Sequence, residues 1–435
     1  MTTEAPSPGP VAETLTAPPR PSAAPPVPVG SQQDDGAVNL DRTIPALLVR
    51  QDWNPAHHAT VGVIRSLGRA GVPVHAIRES PRVPAARSRY LTGRLPWWPA
   101  GMRQDERPAR LAAFAERIGG RPVLFAMDDA SAILLAEHAE SLRPHARLPA
   151  AGFGAPLHVA DKALLARWCR ERGIDHPRTR LPDNAREVRC AARELGLPLV
   201  AKWTRPWLLP PRGSAAAALR STTLVADERH LLDLFSHRAE AGSALMLQEL
   251  VAPTGDDWFF HGYFRAAPGP AEIECCFAAT GRKELAWPRE SGLTARGRWL
   301  PQAQVAAAGL AAGRAAGVPG PVDLDFRLDP GTGKCHLLDF NPRLGAQFRL
   351  FTDAAGLDLP RAAHLDLTGR PVPAARPRSG RMLTVEFYDP LGALRPGRAI
   401  ERAWLDRRDP LPFAAATTYT AMRALGRLAP EGKRR

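Results

Sequence analysis

Three neighbouring segments decide how this chain folds: Val322–Arg327 (VDLDFR), the turn Asp329–Gly333 (DPGTG) and His336–Arg343 (HLLDFNPR). An Asp-Pro-Gly turn with a second glycine is typical of the loop between two antiparallel strands. Side chains alternate between the two faces of a strand, so Asp323 shares a face with Asp325. By the same rule, Asp339 shares a face with Asn341. If the two faces coincide, Asp325, Asp339 and Asn341 bring three hard oxygen ligands together.

These oxygen ligands favour magnesium as the bound ion. Carboxylate and amide oxygens suit a cation that needs few protein ligands and completes its shell with phosphate oxygens. The hairpin therefore predicts a site for magnesium bound to ATP. Arg343 follows just beyond it, where a guanidinium can neutralise a phosphoryl group during transfer. The alternative is a surface hairpin with solvated acids, which is the better interpretation for any one aspartate but not for the whole pattern.

Composition and charge limit the other classes of function. The chain has 435 residues and a net charge of +14, and this length is enough for two to three domains. The positive residues are spread along the chain, and the densest cluster is Gly432–Arg435. No zinc-finger spacing, basic heptad region or RNA-platform motif accompanies them, so we expect no nucleic-acid partner. The alternatives that account for the charge are an arginine-rich surface and affinity for anionic small molecules such as nucleotides.

Neither a membrane span nor a secretory signal is expected from the sequence. No stretch reaches the roughly 18 apolar residues needed to cross a bilayer. The first residues also lack a basic segment followed by an apolar run. The five cysteines form no C-x-x-C pair and are odd in number, which fits a reducing compartment better than a disulfide framework. We therefore expect a cytoplasmic protein that does not engage a membrane.

The order of apolar runs predicts the domain organisation. Residues 1–40 are rich in proline and contain no aromatic residue, so a disordered tail is expected. Strand, helix and strand alternate over residues 41–150, which predicts a small doubly wound α/β unit with a parallel sheet. Residues 151–370 combine helices with several further strands and include a lobe at about 197–245, and residues 371–435 follow as a C-terminal extension. The expected fold class is therefore α/β with an α+β part.

Two polar motifs follow strands of the first predicted domain. His57 and His58 lie beyond its first strand, where open α/β sheets bind their ligands. A loop or a helix N-terminus is nevertheless the favoured interpretation for this pair. Asp128 and Asp129 follow another apolar strand, and we expect an N-cap for the next helix there.

The hairpin resembles the metal-binding end of the ATP-grasp ligases, which usually read acidic-x-Asn-Pro-Arg. Four further landmarks match that family in the same order: Lys162 at a helix start, Lys202 after an apolar strand, Glu249 within Gln248–Val251, and Lys283 within Gly281–Lys283. The resemblance implies that the three lysines hold the phosphates of ATP and that Glu249 holds its adenine. It assigns magnesium, for which manganese can substitute, to Asp325, Asp339 and Asn341. Arg343 is then the catalytic residue that stabilises the transferring phosphoryl group.

The first predicted domain resembles the domain that precedes ATP-grasp in carboxylate–amine ligases of the D-aspartate-ligase and carbamoyl-phosphate-synthase-like type. The likeness rests on Val61–Gly68 (VGVIRSLG) and Ser88–Tyr90 (SRY), and more weakly on Asp406–Pro412 (DRRDPLP). It implies a Rossmann-like domain followed by a two-lobed ATP-grasp fold. The implied enzyme uses ATP to convert a small carboxylic acid into an acyl-phosphate and passes it to an amine, such as an amino acid or a peptide. ATP-grasp relatives are often homo-oligomers.

One segment departs from the family pattern. The loop after the second lysine is usually rich in glycine and serine, whereas Trp203–Ser214 contains three prolines and only Gly213 and Ser214 fit. Arg205 or Arg212 could replace the main-chain anion contacts of such a loop. This departure keeps open the alternative of a nucleotide-binding module that has lost turnover. A separate alternative is an enzyme that activates bicarbonate with the same ATP machinery.

Overall fold

Three β-sheets organise the part of the chain that the computed structural model describes. The described residues are 38–150, 154–210, 219–267, 273–289, 292–375, 377–397 and 399–424. Several features of the sequence interpretation lie outside them: most of the tail 1–40, Arg212 with Gly213 and Ser214, and the basic cluster Gly432–Arg435. Within the described ranges, no helix is both long and apolar enough to cross a bilayer.

The first sheet is a parallel four-stranded sheet in the order β3-β2-β1-β4, which confirms the predicted α/β unit. Its strands are β1 Ala46–Val49, β2 Val74–Ile77, β3 Gly93–Leu95 and β4 Val123–Ala126. The helices of this region are α1 His58–Arg69, α2 Arg107–Ile118, α3 Asp129–Glu137 and α4 Ala139–Leu142. Leu47 and Leu48 belong to separate buried apolar clusters, as expected for a parallel sheet covered on both faces. The strand order reverses between β1 and β4, which is where such sheets bind ligands at the carboxyl ends.

The second sheet is antiparallel, with the strand order β5-β8-β6-β7. Its strands are β5 Thr179–Arg180, β6 Leu199–Trp203, β7 Thr222–Val225 and β8 Leu245–Glu249. The helices are α5 Pro156–Ala160, α6 Lys162–Arg172, α7 Ala185–Leu195, α8 Glu228–Ser236 and α9 Arg238–Ala241. The side chain of Asp161 caps α6 by accepting hydrogen bonds from two main-chain N–H groups of its first turn. The helix ends where Gly173 adopts the left-handed conformation, so local signals place Lys162 at its first position.

The third sheet has seven strands in the order β13-β12-β9-β10-β11-β14-β15. They are β9 Asp256–Ala266, β10 Ile273–Trp287, β11 Leu293–Trp299, β12 Gly320–Leu328, β13 Cys335–Asn341, β14 Met382–Thr384 and β15 Ile400–Arg402. The helices are α10 Ala303–Ala316, α11 Leu359–Leu367, α12 Pro390–Ala393 and α13 Leu411–Ala424. Helix α10 packs closely on β9, because a Cβ at Gly309 or Gly313 would come within 2.4 Å or 2.2 Å of the Phe260 or Phe264 ring.

The edge of the third sheet is formed by strands that the sequence patterns do not reveal. Strands β14 and β15 have three residues each, too few for an alternating pattern to stand out. They pair beyond β11 and continue the sheet. The sheet therefore extends past residue 370, where the sequence interpretation begins a C-terminal extension. The boundaries of the predicted domains stay predictions.

A buried cluster joins the segment after β15 to the first sheet region. Asp409 accepts hydrogen bonds from Nε of Arg65 at 2.9 Å, the hydroxyl of Ser88 at 2.7 Å and the main-chain N–H of Arg89 at 2.9 Å. Arg65 also donates to the main-chain oxygens of Trp404 and Asp409. We call this set the C-terminal lock. It unites the three motifs that resemble carboxylate–amine ligases outside the ATP-grasp region.

Candidate functional site

The hairpin β12–β13 is antiparallel, as the turn chemistry predicts, and its register brings the expected ligands together. Asp325 lies directly opposite Asp339, and Asp323 lies directly opposite Asn341. Residues opposite one another in an antiparallel pair project to the same face. The two strand faces therefore coincide, as the predicted metal site requires. The carboxylates of Asp325 and Asp339 share one face, and each has about a quarter of its side chain exposed.

Three lysines from separate elements converge on these two carboxylates. Nζ of Lys162, at the start of α6, lies 3.1 Å from Oδ1 of Asp339. Nζ of Lys202, in β6, lies 3.3 Å from Oδ2 of Asp339 and donates to the main-chain oxygen of Leu338 at 2.8 Å. Nζ of Lys283, in β10, lies 3.5 Å from Oδ1 of Asp325. The second and third sheets thus contribute cations to one set of acids.

The charges of the cluster shift the pKa of its members in opposite directions. Burial raises the pKa of Asp339, but the attraction of Lys162 and Lys202 outweighs it and lowers that pKa to about 2. Burial is the main cause that raises the pKa of Asp325 to about 6; the charge of Lys283 opposes it, and neighbouring carboxylates add to it. Burial also lowers the pKa of Lys202, although Asp339 opposes it. Keeping these charges buried is unfavourable in free energy, and a bound ligand can offset part of that cost.

Asn341 and Arg343 complete the hairpin end of the site. The amide nitrogen of Asn341 donates to the main-chain oxygen of Asp323 at 3.1 Å, which leaves its carbonyl oxygen as the group that can bind a cation. Nη1 of Arg343 lies 2.6 Å from Oδ2 of Asp323. Nε of Arg343 lies 3.5 Å from Oδ1 of Asp129, at the first position of α3. Arg343 therefore connects the hairpin with the carboxyl edge of the first sheet.

The donor set fits a magnesium ion that is shared with a phosphate ligand. Oδ1 of Asp325 and Oδ1 of Asp339 are buried and accept no hydrogen bond from the described residues. Magnesium is bound by few protein oxygens and takes the remainder of its octahedral shell from water and phosphate. Among the described residues, no group of three or more His, Cys, Asp and Glu side chains is placed to hold a metal ion.

Two residues predicted to contact the nucleotide, Glu249 and Arg205, form ion pairs with other residues of the protein. Glu249 ends β8, and its carboxylate accepts hydrogen bonds from the main-chain N–H of Arg178 at 2.8 Å and from Nε of the same residue at 2.6 Å. The adenine contact assigned to Glu249 stays a prediction. Arg205, a candidate anion ligand of the loop after β6, donates from Nε to Asp161 at 2.7 Å. This contact ties the start of that loop to the cap of α6.

Two side chains near Arg343, those of Asp129 and His261, make contacts that the sequence interpretation did not predict. Asp128 caps α3, as predicted, by accepting a hydrogen bond from the main-chain N–H of Ser131, but the neighbouring Asp129 turns toward Arg343. His261 is fully buried in β9, with Nε2 at 3.2 Å from Oδ1 of Asp323. Burial lowers the pKa of His261 although Asp323 opposes it. Only a histidine within the aromatic run of β9 hints at this contact, because the partners are distant in sequence.

His57 and His58, at the start of α1, make contacts within the protein. His58 is buried, and its main-chain oxygen accepts a hydrogen bond from Nη2 of Arg349 at 2.6 Å, while its ring nitrogen lies 3.0 Å from the same atom. Arg349 also donates to the main-chain oxygen of Ala403 at 2.7 Å. Ring nitrogen Nδ1 of His57 lies 2.9 Å from the hydroxyl of Thr60. These contacts agree with the favoured interpretation of a helix N-terminus.

Solved structures with similar folds include a carboxylase domain, a synthetase and a ligase. The biotin carboxylase domain of 2-oxoglutarate carboxylase from Hydrogenobacter thermophilus has a TM-score of 0.54 at 12% identity, over 78% of this chain and 73% of that chain. N5-carboxyaminoimidazole ribonucleotide synthetase from Thermus thermophilus has a TM-score of 0.54 at 16% identity, over 78% and 82% of the two chains. L-amino acid ligase from Bacillus licheniformis has a TM-score of 0.54 at 13% identity, over 75% of each chain.

Sequence comparison adds no narrower assignment. No protein-family model matches the chain, and no curated protein matches its sequence. At 12–16% identity, the structural similarity concerns the fold. The parallel first sheet, the antiparallel second sheet and the third sheet with its acidic hairpin give this chain the fold of the ATP-grasp ligases.

Proposed function

We propose that this protein is an ATP-dependent carboxylate–amine ligase. One observation carries the proposal: Lys162, Lys202 and Lys283 converge on the facing carboxylates of a single hairpin, in a chain with the ATP-grasp fold. Burying charges of both signs is costly, and protein interiors rarely retain such groups without a use for them. A magnesium nucleotide uses both signs at once, because the metal needs the acids and the phosphates need the lysines.

The residues would divide the two parts of the ligand between them. Asp325, Asp339 and the carbonyl oxygen of Asn341 would hold magnesium, which neutralises and orients phosphate groups when bound. The three lysines carry the positive charge that phosphate oxygens require. Glu249 would lie near the adenine, as the family resemblance implies. Manganese would occupy the same oxygen ligands, since it shares the preference for carboxylate and carbonyl donors.

The reaction would proceed by two substitutions. A carboxylate oxygen of the acid attacks the γ-phosphorus of ATP, the bond to the bridging oxygen breaks, and ADP leaves. The nitrogen of the amine then attacks the acyl carbon, loses a proton and displaces inorganic phosphate, which forms the amide. Neither step needs a side-chain nucleophile, because positioning and charge neutralisation provide most of the catalysis in phosphoryl transfer. Arg343 stabilises the negative charge of the transferred phosphoryl group.

A bicarbonate-activating carboxylase is the second candidate. The similar solved structures include a biotin carboxylase domain that is described with bicarbonate and a carboxyaminoimidazole ribonucleotide synthetase. In that case bicarbonate replaces the carboxylic acid as the nucleophile toward ATP. ADP release would then depend on bicarbonate without any added amine, which separates this candidate from the ligase.

The experiment that tests both candidates measures ADP release by the purified protein with magnesium-ATP. Pooled amino acids are added with and without bicarbonate, and wild type is compared with Asp339→Ala. The matched control is Asp233→Ala, which removes a carboxylate from α8 whose side chain is 70% exposed. We expect amino acids to raise the rate, Asp339→Ala to abolish the increase and Asp233→Ala to retain it. Dividing the pools then identifies the acid and the amine.

The other outcomes are equally informative. A rate that responds to bicarbonate alone would favour the carboxylase. ATP binding without ADP release across acids and amines of broad chemistry would favour the nucleotide-binding module that has lost turnover. Absence of ATP binding would show that the proposed function is wrong.

A further inference from the structure

The carboxylate of Asp323 is the most enclosed acid of the hairpin, and both of its oxygens face a partner. Oδ2 lies 2.6 Å from Nη1 of Arg343, and Oδ1 lies 3.2 Å from Nε2 of His261. The side chain of Asp323 is 5% exposed and that of His261 is fully buried. Asp325 and Asp339 instead face the lysines and remain about a quarter exposed. Asp323 is therefore enclosed by protein groups. Asp325 and Asp339 also face lysines, but their side chains are partly exposed and accessible to a ligand.

The surroundings of Asp323 are closely packed. A Cβ at Gly345 would come within 2.5 Å of the Asp323 carboxyl carbon and 2.3 Å of the His261 ring, so only glycine lets the chain pass here. The His261 ring packs against the rings of Phe259 and Phe351, with centroid separations of 5.8 Å and 5.2 Å. Dense packing of this kind locks a side chain into one arrangement.

Arg343 has a second carboxylate within reach on the other side. Oδ1 of Asp129 lies 3.5 Å from Nε of Arg343, whereas the contact with Asp323 is 2.6 Å. Asp129 belongs to α3 of the first sheet region, and Asp323 belongs to the hairpin that carries the candidate metal ligands. If the contact with Asp323 were lost, the guanidinium would be free to pair with Asp129 and to leave the hairpin.

We propose that Asp323, held in place by His261, is the positioning residue that directs Arg343 toward the terminal phosphate of ATP. This inference rests on the proposed function, in which Arg343 contacts the transferring phosphoryl group. Asp323 acts through Arg343 and does not touch the nucleotide or the metal. The hairpin thus has two kinds of acid on one strand: Asp323 orients a catalytic cation, and Asp325 binds the ligand.

The test measures nucleotide selectivity and needs no substrate acid or amine. Calorimetry gives the dissociation constants of the imido analogue of ATP (AMP-PNP) and of ADP, both with magnesium, and their ratio reports the contact with the terminal phosphate. We expect wild type to prefer AMP-PNP and Arg343→Ala to lose that preference. Asp323→Asn keeps the shape but removes the charge, and should reduce the preference on the order of tenfold. The double variant should lose no more than Arg343→Ala alone, because the two residues act as one unit.

A second variant and a matched control protect the test against a folding defect. Gly345→Ala displaces the Asp323 carboxylate without changing any charge and should reduce the same preference. Asp389→Asn is the control, since Asp389 is a buried acid of the same sheet region that pairs with Arg296 at 2.7 Å, away from the hairpin. Thermal unfolding identifies any variant that is not folded, and the other variant then decides.

Each result supports or overturns the inference. A reduced preference in Asp323→Asn or Gly345→Ala that disappears in the Arg343→Ala background supports it. An unchanged preference in a folded Asp323→Asn, or losses that add up in the double variant, would overturn it. Wild type that binds both nucleotides equally would also overturn it, by removing the role of Arg343. Wild type that binds neither nucleotide contradicts the proposed function itself.

Discussion

The buried Arg65 and the partly buried Arg343 both form ion pairs with aspartates, and their surroundings differ in one respect. In the C-terminal lock, both oxygens of Asp409 accept hydrogen bonds, and Arg65 also donates to two main-chain oxygens. On the hairpin that precedes Arg343, Oδ1 of Asp325 and Oδ1 of Asp339 are buried without a hydrogen bond from the described residues, and they face lysine Nζ atoms at 3.5 Å and 3.1 Å. Buried polar groups in native proteins are nearly always satisfied, so a cluster of exceptions requires an explanation. The lock is complete by itself, whereas the hairpin acids retain buried oxygens that a bound cation could satisfy.

The family likeness of the first sheet region lies in the completed set of contacts. Its motifs meet in the lock, where Ser88 and Arg89 reinforce the contact between Arg65 and Asp409. A fully satisfied buried pair holds two parts of the chain in one geometry, even where its net free energy is small. These motifs therefore serve the architecture that carries the site.

The largest expected effect comes from breaking the lock. Asp409→Ala leaves the guanidinium of Arg65 buried without its charged partner, and we expect it to lower the free energy of unfolding by about 3–5 kcal/mol. Urea unfolding at neutral pH measures this loss. Arg103→Ala is the control, because that arginine pairs with Asp105 at the surface, and it should unfold like wild type. A small loss in Asp409→Ala would show that the lock contributes little to stability.

The next effect concerns activity rather than stability. Asp339→Asn removes the carboxylate that faces Lys162 and Lys202, and we expect ADP release to fall at least about a hundredfold. Its free energy of unfolding should fall less than that of the lock variant, because the site is partly open to water. Parallel ADP-release and urea measurements separate the two. Equal losses of stability in both variants would contradict the distinction between a completed lock and an open site.

A pH effect of intermediate size should arise beside Arg349. Burial and the nearby positive charge of Arg349 hold the pKa of His58 well below its ordinary value of 6.5. The unfolded chain then binds the proton more readily, so the stability is fully present above pH 6.5 and declines as the pH falls below it. The decline should be at most about 1.4 kcal/mol per pH unit for this group.

Urea unfolding between pH 7.5 and pH 5 measures the decline. His58→Gln is the comparison, because an amide can accept the hydrogen bond from Arg349 without gaining a proton. The variant should show a shallower pH dependence than wild type. The pKa of the neighbouring His57 is also lowered, to about 3, with burial as the main cause, so part of the dependence should persist. Identical slopes would contradict the role assigned to His58.

The smallest effect is expected at the exposed pair of Arg178 and Glu249. The side chain of Arg178 is 57% exposed, and surface ion pairs contribute about 0–1 kcal/mol. Arg178→Ala should therefore change the free energy of unfolding by less than about 1 kcal/mol, as measured by urea unfolding. Glu249→Ala should weaken ATP binding more than Arg178→Ala if Glu249 holds the adenine. Equal ATP affinities in the two variants would remove Glu249 from the predicted site.

The hairpin shows how far local sequence can predict a site. Turn chemistry and strand alternation concern residues close in sequence, so they predicted an antiparallel pair with Asp325 and Asp339 on one face. Helix α6, which begins with Lys162, likewise ends at Gly173, the kind of residue that local sequence signals mark as a helix end. The assignment of Lys162, Lys202 and Lys283 to one ligand came from family resemblance, because spacing alone does not bring distant strands together. Short strands such as β14 carry too few residues to form a pattern.

What the sequence by itself determined is the set of elements and the chemistry that each can offer. The parallel α/β unit, the acidic hairpin and the lysine at the start of α6 all follow from periodicity, helix ends and turns within short windows. Only the tertiary structure decided that His261 and Arg343 hold Asp323 from two sides, and that Arg65 meets Asp409. These contacts join residues far apart in the chain, and such pairs depend on how whole sheets pack rather than on any local preference.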